Sequence, residues 1–424
     1  MLDLRSIRED HERARAALAR RGAAESLDEL LRLDARRRQL LPEIEERRAR
    51  QHRASDEIAA AKRSGADAEP LIAEMRQVSA EVKELEAELA EVEAKRDELL
   101  AQLPNLPEPE APEGSTEDDA VVLREVGERP EFEFGVRDHL ELGLANRWID
   151  MEKAGEASGS RFAYLLGDLV IVELALIRFA IELVGEEAFV PVVSPVLVRE
   201  GPLFGTGFFP GEREMVYEIP RDELFLVGTS EVSLAALHAN EILASDQLPR
   251  RYAGFSTCFR REAGAAGKDT RGLFRVHQFD KVEMFSFVRP EDSAEEHGRI
   301  LGIQERILQA LEIPYRVVDI AAGDLGASAA RKFDCEAWIP SQERYREVTS
   351  CSNTTDYQAR RLGCRFRPEP DAQAGHVHTL NGTAVAVGRT LIALIENGQR
   401  ADGSVALPAA LREAGAPETI GGVG

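Results

Sequence analysis

Two helical repeats facing each other across a short turn constrain this chain more than any other feature. From Leu30 to Ala61 a three-four spacing links Leu30, Leu33, Arg37, Leu40, Ile44, Arg47, Gln51, Ala54, Ile58 and Ala61. From Leu71 to Leu103 it links Leu71, Met75, Val78, Val82, Leu85, Leu89, Val92, Arg96, Leu99 and Leu103. Sustained over several heptads, this spacing keeps one apolar stripe on one side of a helix, the pattern of a coiled-coil seam. Between the repeats, Arg63-Ser64-Gly65-Ala66-Asp67-Ala68-Glu69-Pro70 forms a turn signal: Gly65 can take a positive φ, and Pro70 suits the start of a helix. Two helices of about 35 residues, rising ~1.5 Å per residue, give an antiparallel hairpin about 50 Å long, spanning roughly residues 28–101.

Heptads most often join separate chains, so a dimerisation coiled coil is the first alternative for this hairpin. Three features favour closure within one chain: the tight turn, the polar Arg37, Arg47 and Gln51 in the seam, and the gathering of basic residues on one helix. Between Arg36 and Arg53, seven arginines (Arg36, Arg37, Arg38, Arg47, Arg48, Arg50, Arg53) stand against three glutamates (Glu43, Glu45, Glu46). That predicts a basic side suited to phosphates, in a chain whose net charge is −23. Pro42 falls inside the repeat and predicts a kink or restart there. Pro104, Pro107, Pro109 and Pro112 end the second helix, and the acidic run through Glu117-Asp118-Asp119 completes a linker. The expected organisation is an N-terminal domain over 1–103, a linker over 104–119 and a body over 120–424.

With 424 residues, 43% of them apolar, the chain is long enough for two or three globular domains. Its four cysteines (Cys258, Cys335, Cys351, Cys364) include no Cys-x-x-Cys pair, so neither a disulfide framework nor a structural zinc is expected. Met1-Leu2-Asp3-Leu4-Arg5 opens no signal-peptide core. No run reaches the roughly 18 apolar residues of a membrane span, and a soluble, cytoplasmic protein without a membrane partner is expected.

The chemistry concentrates between Phe259 and Phe285, which alternates apolar and charged residues on two flanks of a Gly- and Lys-bearing loop. On pleated strands Arg260 and Glu262 share a face, as do Arg275, His277, Phe279, Lys281 and Glu283. The plain interpretation is a hairpin with a salt-bridged solvent face. The functional one is a nucleotide triphosphate site: guanidinium forks match phosphate oxygens, an aromatic face stacks on a purine, and a carboxylate accepts from an amine. No Gly-x-x-x-x-Gly-Lys-Ser/Thr or Gly-x-Gly-x-x-Gly signal is present, so neither a P-loop nor a Rossmann cradle is expected.

The Phe-Arg-x-Glu start at Phe259–Glu262 and the return through Asp269-Thr-Arg-Gly-Leu-Phe-Arg-Val-His-Gln-Phe279 resemble motif 2 of class II aminoacyl-tRNA synthetases, and in detail the seryl-tRNA synthetase family of bacterial type. Val227-Gly-Thr-Ser-Glu231 resembles that family's amino-acid segment, and Glu347-Val-Thr-Ser350 its metal and ATP segment. Asn381-Gly-Thr-Ala-Val-Ala-Val-Gly-Arg389 resembles motif 3, leading into an apolar helix near Thr390, and Val190–Leu197 resembles the proline-bearing motif 1 strand. The resemblance covers essentially the whole chain. It implies an α+β fold, with the two-helix coiled-coil arm preceding an antiparallel β-sheet catalytic domain flanked by helices such as 167–184 and 291–311.

The resemblance further implies ATP-dependent activation of L-serine to seryl-adenylate, transfer to the 3′ end of tRNA(Ser), with tRNA(Sec) as a second candidate acceptor, Mg²⁺ brought with ATP, and a homodimer with motif 1 at its interface. Arg260 and Arg389 would be catalytic. The ATP site would comprise Arg260, Arg261, Glu262, Arg275, Val276, Phe279, Glu347, Val348, Thr349, Ser350 and Arg389, with Glu347 and Ser350 on the metal. Arg260 would hold the α-phosphate, Arg389 the γ-phosphate, and Glu262 and Phe279 the adenine. L-Serine would meet Thr229, Ser230, Glu231, Glu283, Asn381 and Thr383. The arm's Arg36, Arg47, Arg48, Arg50 and Arg53, with Lys268 and Arg271 of the motif 2 loop, would meet tRNA. Gly264 and Gly267 suit a mobile loop, Cys258 a small buried hydrophobe, and His376 with His378 an ordinary strand face. Two alternatives stay open: a paralogue adenylating serine for another acceptor, and a catalytically silent RNA-binding relative. The intact arm and the intact site residues count against them.

Overall fold

The computed structural model describes residues 1–263, 269 and 271–422. Two compact units emerge, Asp3–Leu103 and a larger one formed by Met1–Leu2 with Pro104–Gly424.

The smaller unit is dominated by helices α1 (Ala24–Ser64) and α2 (Glu69–Gln102), packed along their lengths. Gly65 closes α1 in the left-handed region at φ 73°, and Pro70 lies in the first turn of α2, as the turn residues require. The seam buries Leu40, Ile44 and Val92, with Leu33, Leu85 and Leu89 packed against them. The helix does not restart at Pro42: α1 continues through it. A proline in a helix interior costs about 3 kcal/mol, and burying a leucine- or isoleucine-sized side chain returns roughly 1.5–3 kcal/mol; Leu40 and Ile44, flanking Pro42, are both buried. The polar seam positions are answered across the hairpin. Arg37 donates to Glu93 at 2.7 Å, Arg47 to Glu81 at 2.9 Å, and Gln51 to Ser79 at 2.9 Å.

The larger unit is built on an eight-stranded sheet: β1 (Val121–Val126), β2 (Val190–Val193), β3 (Arg250–Phe259), β4 (Gln278–Val288), β5 (Tyr315–Asp319), β6 (Arg331–Ile339), β7 (Arg344–Asn353) and β8 (His378–Ala386), in spatial order β1-β5-β6-β7-β8-β4-β3-β2. Every pair is antiparallel except β2 with β3. Helices α3 (Asp168–Glu186), α4 (Ser293–Ala310) and α5 (Val387–Asn397) contribute Leu169, Val172, Leu176, Ile300, Ile307, Leu391 and Ile395 to the main core, where they join Val282 and Met284 of β4. Odd-numbered residues of β4 face the other way. Phe285 and Phe287 enter a second apolar cluster, whereas Phe279, Lys281 and Glu283 line a cavity. Strand alternation therefore divides one strand between core and site. The proline-rich run expected as a linker is bonded within this unit: Asn105 donates its backbone N–H to Ala327 at 2.8 Å and its side-chain amide to Ser328 and Thr354, both at 2.9 Å.

Candidate active site

A cavity of about 320 Å³ opens on the sheet face opposite the main core. It gathers segments far apart in sequence: Thr229 and Glu231, Arg260 and Glu262, Arg275, Val276, Phe279 and Lys281, Glu283, Glu347 to Ser350, Asn381, Thr383 and Arg389 all line it. Ser230, Arg261 and His277 do not. Ser230 is buried and donates to the Gly254 carbonyl at 3.1 Å, the Arg261 guanidinium lies 5.9 Å from the Tyr217 ring centre, and His277 Nδ1 sits 2.8 Å from the Arg260 carbonyl. One expectation about local structure is corrected. Arg260, Glu262, Arg275 and His277 lie beyond the ends of β3 and β4, and Glu262 has φ 52°, so the pleat orders only Phe279, Lys281 and Glu283.

The cationic end holds three guanidiniums. Arg260 Nε donates to the Gly228 carbonyl at 3.2 Å, with its guanidinium 5.3 Å from the Phe279 ring centre. Arg275 donates to Glu262 at 2.6 Å. Arg389 donates to the Glu347 carbonyl at 3.0 Å and approaches that residue's carboxylate at 3.3 Å. Burial alone would raise the Glu347 carboxyl, but Lys332 and Arg389 outweigh it and hold the group at about 2. Phe274, another wall residue, lies between two guanidiniums, 3.7 Å from Arg346 and 4.9 Å from Arg389.

The closed end is acidic. Glu231 is buried; Gln358 donates to its Oε1 at 2.8 Å and Asn381 at 3.0 Å. Burial, then the neighbouring Glu283 charge, pushes its carboxyl up to about 7. Glu283, also buried, accepts from Thr383 Oγ1 at 3.2 Å and is ion-paired with Lys281. Glu212 stands nearby with its own carboxyl raised by burial. Glu212, Lys332 and Gln358 belong to this environment but carry no sequence signal for it, because a loop, a strand and a helix outside the recognised motifs supply them, and Phe274 lies within the motif 2 return without having been singled out. Lys281 shares the alternation that marks Glu283.

On the hairpin, Arg36 makes a two-pronged bond to Glu88 at 2.7 and 2.9 Å, Arg47 pairs with Glu81, Arg48 with Glu86 at 2.7 Å, and Arg50 with Glu74 at 2.9 Å. The uncompensated basic side expected from α1 is thus largely answered by α2, while Arg53 is exposed and has no ion pair among the described residues. Arg271 is exposed and lies 3.5 Å from Asp138. Lys268, Gly264 and Gly267 fall outside the described residues.

An antiparallel sheet carrying an arginine- and carboxylate-lined cavity of this construction defines a class II aminoacyl-tRNA synthetase core, and residues 216–398 match the family model for the tRNA synthetase class II core domain (G, H, P, S and T). Residues 1–107 match the seryl-tRNA synthetase N-terminal domain. The serine–tRNA ligase of Acidothermus cellulolyticus is 52% identical over 97% of both chains. Among solved structures, seryl-tRNA synthetase from Pyrococcus horikoshii complexed with ATP superposes with TM-score 0.93 at 41% identity, covering 100% of both chains. The cytoplasmic serine–tRNA ligase from Naegleria fowleri in complex with AMP does so with TM-score 0.88 at 30% identity, over 99% of this chain and 98% of that one. The chain belongs to the seryl-tRNA synthetase family.

Proposed function

We propose that the chain activates L-serine with ATP and transfers it to the 3′ end of tRNA(Ser), both steps at this cavity. The observation that carries the reading is the cavity's polarity: three arginines at one end and a narrow wall of Glu231, Glu283 and Thr383 at the other. A triphosphate fits the first, and a small zwitterion with a hydroxyl fits the second. A carboxylate is a poor acyl donor, so its oxygen attacks the α-phosphorus and pyrophosphate leaves. The mixed anhydride then acylates a ribose hydroxyl of the tRNA, releasing AMP. The protein's share is positioning and charge stabilisation.

Arg260, at the junction of the two ends, holds the α-phosphate against the serine carboxylate. Arg275 and Arg389 face the outer phosphates, and transfer of Arg275 from Glu262 to phosphate frees Glu262 for the adenine amine beside Phe279. Glu231 and Thr229 take the ammonium, and Glu283 with Thr383 takes the hydroxyl. Asn381 acts through Glu231, to which it donates. The oxygen donors Glu347 and Ser350, on one strand and lining the cavity, fit Mg²⁺, which keeps several waters and rides with the phosphates. That ion supplies charge neutralisation on the phosphates.

The hairpin serves as the tRNA-binding domain and residues 120–424 as the catalytic one. No described helix is long and apolar enough to cross a membrane; the enzyme is assigned to the cytoplasm. A homodimer is supported by an apolar surface: Leu174 of α3 is 59% exposed and Val193 of the edge strand β2 is 85% exposed, with Ile171, Val190 and Leu197 also open. Serine-dependent pyrophosphate–ATP exchange followed by tRNA charging tests the reading. Exchange driven by another amino acid, or none, would overturn it.

A further inference from the structure

We propose that Lys281 is a positioning residue that sets amino-acid specificity: its ammonium keeps Glu283 a bare carboxylate, so that the pocket demands a hydroxyl. The inference rests on the reading of the closed end as a serine site. Lys281 and Glu283 stand two residues apart on the cavity face of β4, and their side chains are only 7% and 3% exposed. A lysine this buried is rare unless paired, and here the pair is intimate. Both the Lys281 ammonium and the Thr383 hydroxyl meet the same oxygen, Glu283 Oε2. Oε1 has no hydrogen-bond partner among the described residues, and Glu283 lines the cavity. One oxygen is thus anchored while the other remains an acceptor for a ligand.

The charges around Glu283 explain why an anchor is needed. Glu231 faces it from the short helix Glu231–Ala235, with Glu212 beyond; β8 offers only the neutral Thr383 and Asn381, and β3 the thiol of Cys258. Of the cavity's other cations, Arg260 is turned to the Gly228 carbonyl, Arg275 to Glu262, Lys332 to Asp334 and Arg389 to Glu347. Without Lys281, Glu283 would oppose Glu231 in a desolvated pocket, and uptake of a proton would relieve the repulsion. A protonated carboxyl still bonds the serine hydroxyl. It loses the heavy penalty against alanine, which comes from leaving an ion, rather than a neutral group, unpaired.

The test uses the full-length enzyme in pyrophosphate exchange with serine and with alanine between pH 6 and 9. Lys281→Gln should narrow the serine-to-alanine ratio of kcat/KM by about tenfold or more, within the range one pocket contact commands. The KM for ATP should move less than about twofold, because the lost charge acts at the amino-acid end. The variant's ratio should recover as pH rises and Glu283 ionises, whereas the wild-type ratio should stay level. Protonation of Glu231 affects both amino acids alike and cancels from the ratio. In a Glu283→Gln background, Lys281→Gln should change the ratio no further. An unchanged ratio in Lys281→Gln overturns the proposal, as does a KM for ATP that shifts in parallel with that for serine. If the variant does not fold, Lys281→Met, which removes the charge at similar side-chain length, is measured in the same way and judged by the same outcomes. A wild-type enzyme that ignores serine would refute the pocket reading itself, a distinct result.

Discussion

Burial, and then the charge of Glu283 facing it, raise the Glu231 carboxyl to about 7, even though Gln358 and Asn381 donate to it. The bound serine ammonium needs the carboxylate form. As pH falls below about 7, more of the empty enzyme carries the proton, and serine must displace it; apparent serine affinity should therefore fall by up to about tenfold per pH unit. Above about 7 that dependence should level off. Serine KM measured across pH 5.5–8 should follow this course, and Glu231→Gln should flatten it while lowering activity. A second expectation concerns Arg260. Its replacement by Ala removes one preorganised donor from the developing phosphorane and should slow exchange by at least ~100-fold, about 2.7 kcal/mol, with serine binding changed less. That both residues line the cavity was legible from the motifs alone. Gln358 was not, because its relation to Glu231 is created by folding across 127 positions. Nor was the salt bridge of Glu262 with Arg275, beyond the strand ends, where the two-residue period does not apply.

At the scale of the element, the hairpin shows what periodicity can and cannot disclose. The three-four spacing located the seam and the turn, because both depend on residues close in sequence. It counted charge on one helix alone, however, and the glutamates that answer Arg36, Arg47, Arg48 and Arg50 come from α2, 24 to 52 residues away. Pro42 misled in the same manner: local propensity predicts a break that long-range packing of Leu40 and Ile44 overrides. A phosphate approaching the paired arginines must compete with a glutamate, although an exposed pair of this kind is worth only about 0–1 kcal/mol. Arg38, Arg53, Arg76 and Lys83 are exposed and have no ion pair among the described residues. Replacing these four with Ala should lower the salt slope of tRNA binding by about one for each lost phosphate contact, and by more than replacing Arg36, Arg47, Arg48 and Arg50. Binding titrations at several salt concentrations decide between the two sets. Removing residues 28–101 with a short glycine bridge should leave serine-dependent exchange largely intact and abolish charging; normal charging would refute the arm's role.

For the whole molecule, the decisive surface is the one formed by α3 and the edge of the sheet. Among the described residues β2 pairs with β3 on one side and with no strand on the other, and α3 packs beside it while presenting Ile171 and Leu174 outward. An open edge next to exposed aliphatic side chains invites self-association unless it is covered, and a second copy of the same face covers it symmetrically. β3, the neighbour of β2, ends at Phe259, directly before Arg260, so a dimer formed on this face would border the strand that leads into Arg260. Introducing Leu174→Asp with Val193→Asp would place two carboxylates in a desolvated apolar contact, at a cost of several kcal/mol, yet would disturb little in a monomer where both positions already face water. Sedimentation equilibrium should then give twice 46.8 kDa for the native protein and 46.8 kDa for the variant. A native protein already at the single-chain mass would refute the dimer, and a variant that stays at twice that mass would move the interface to another face.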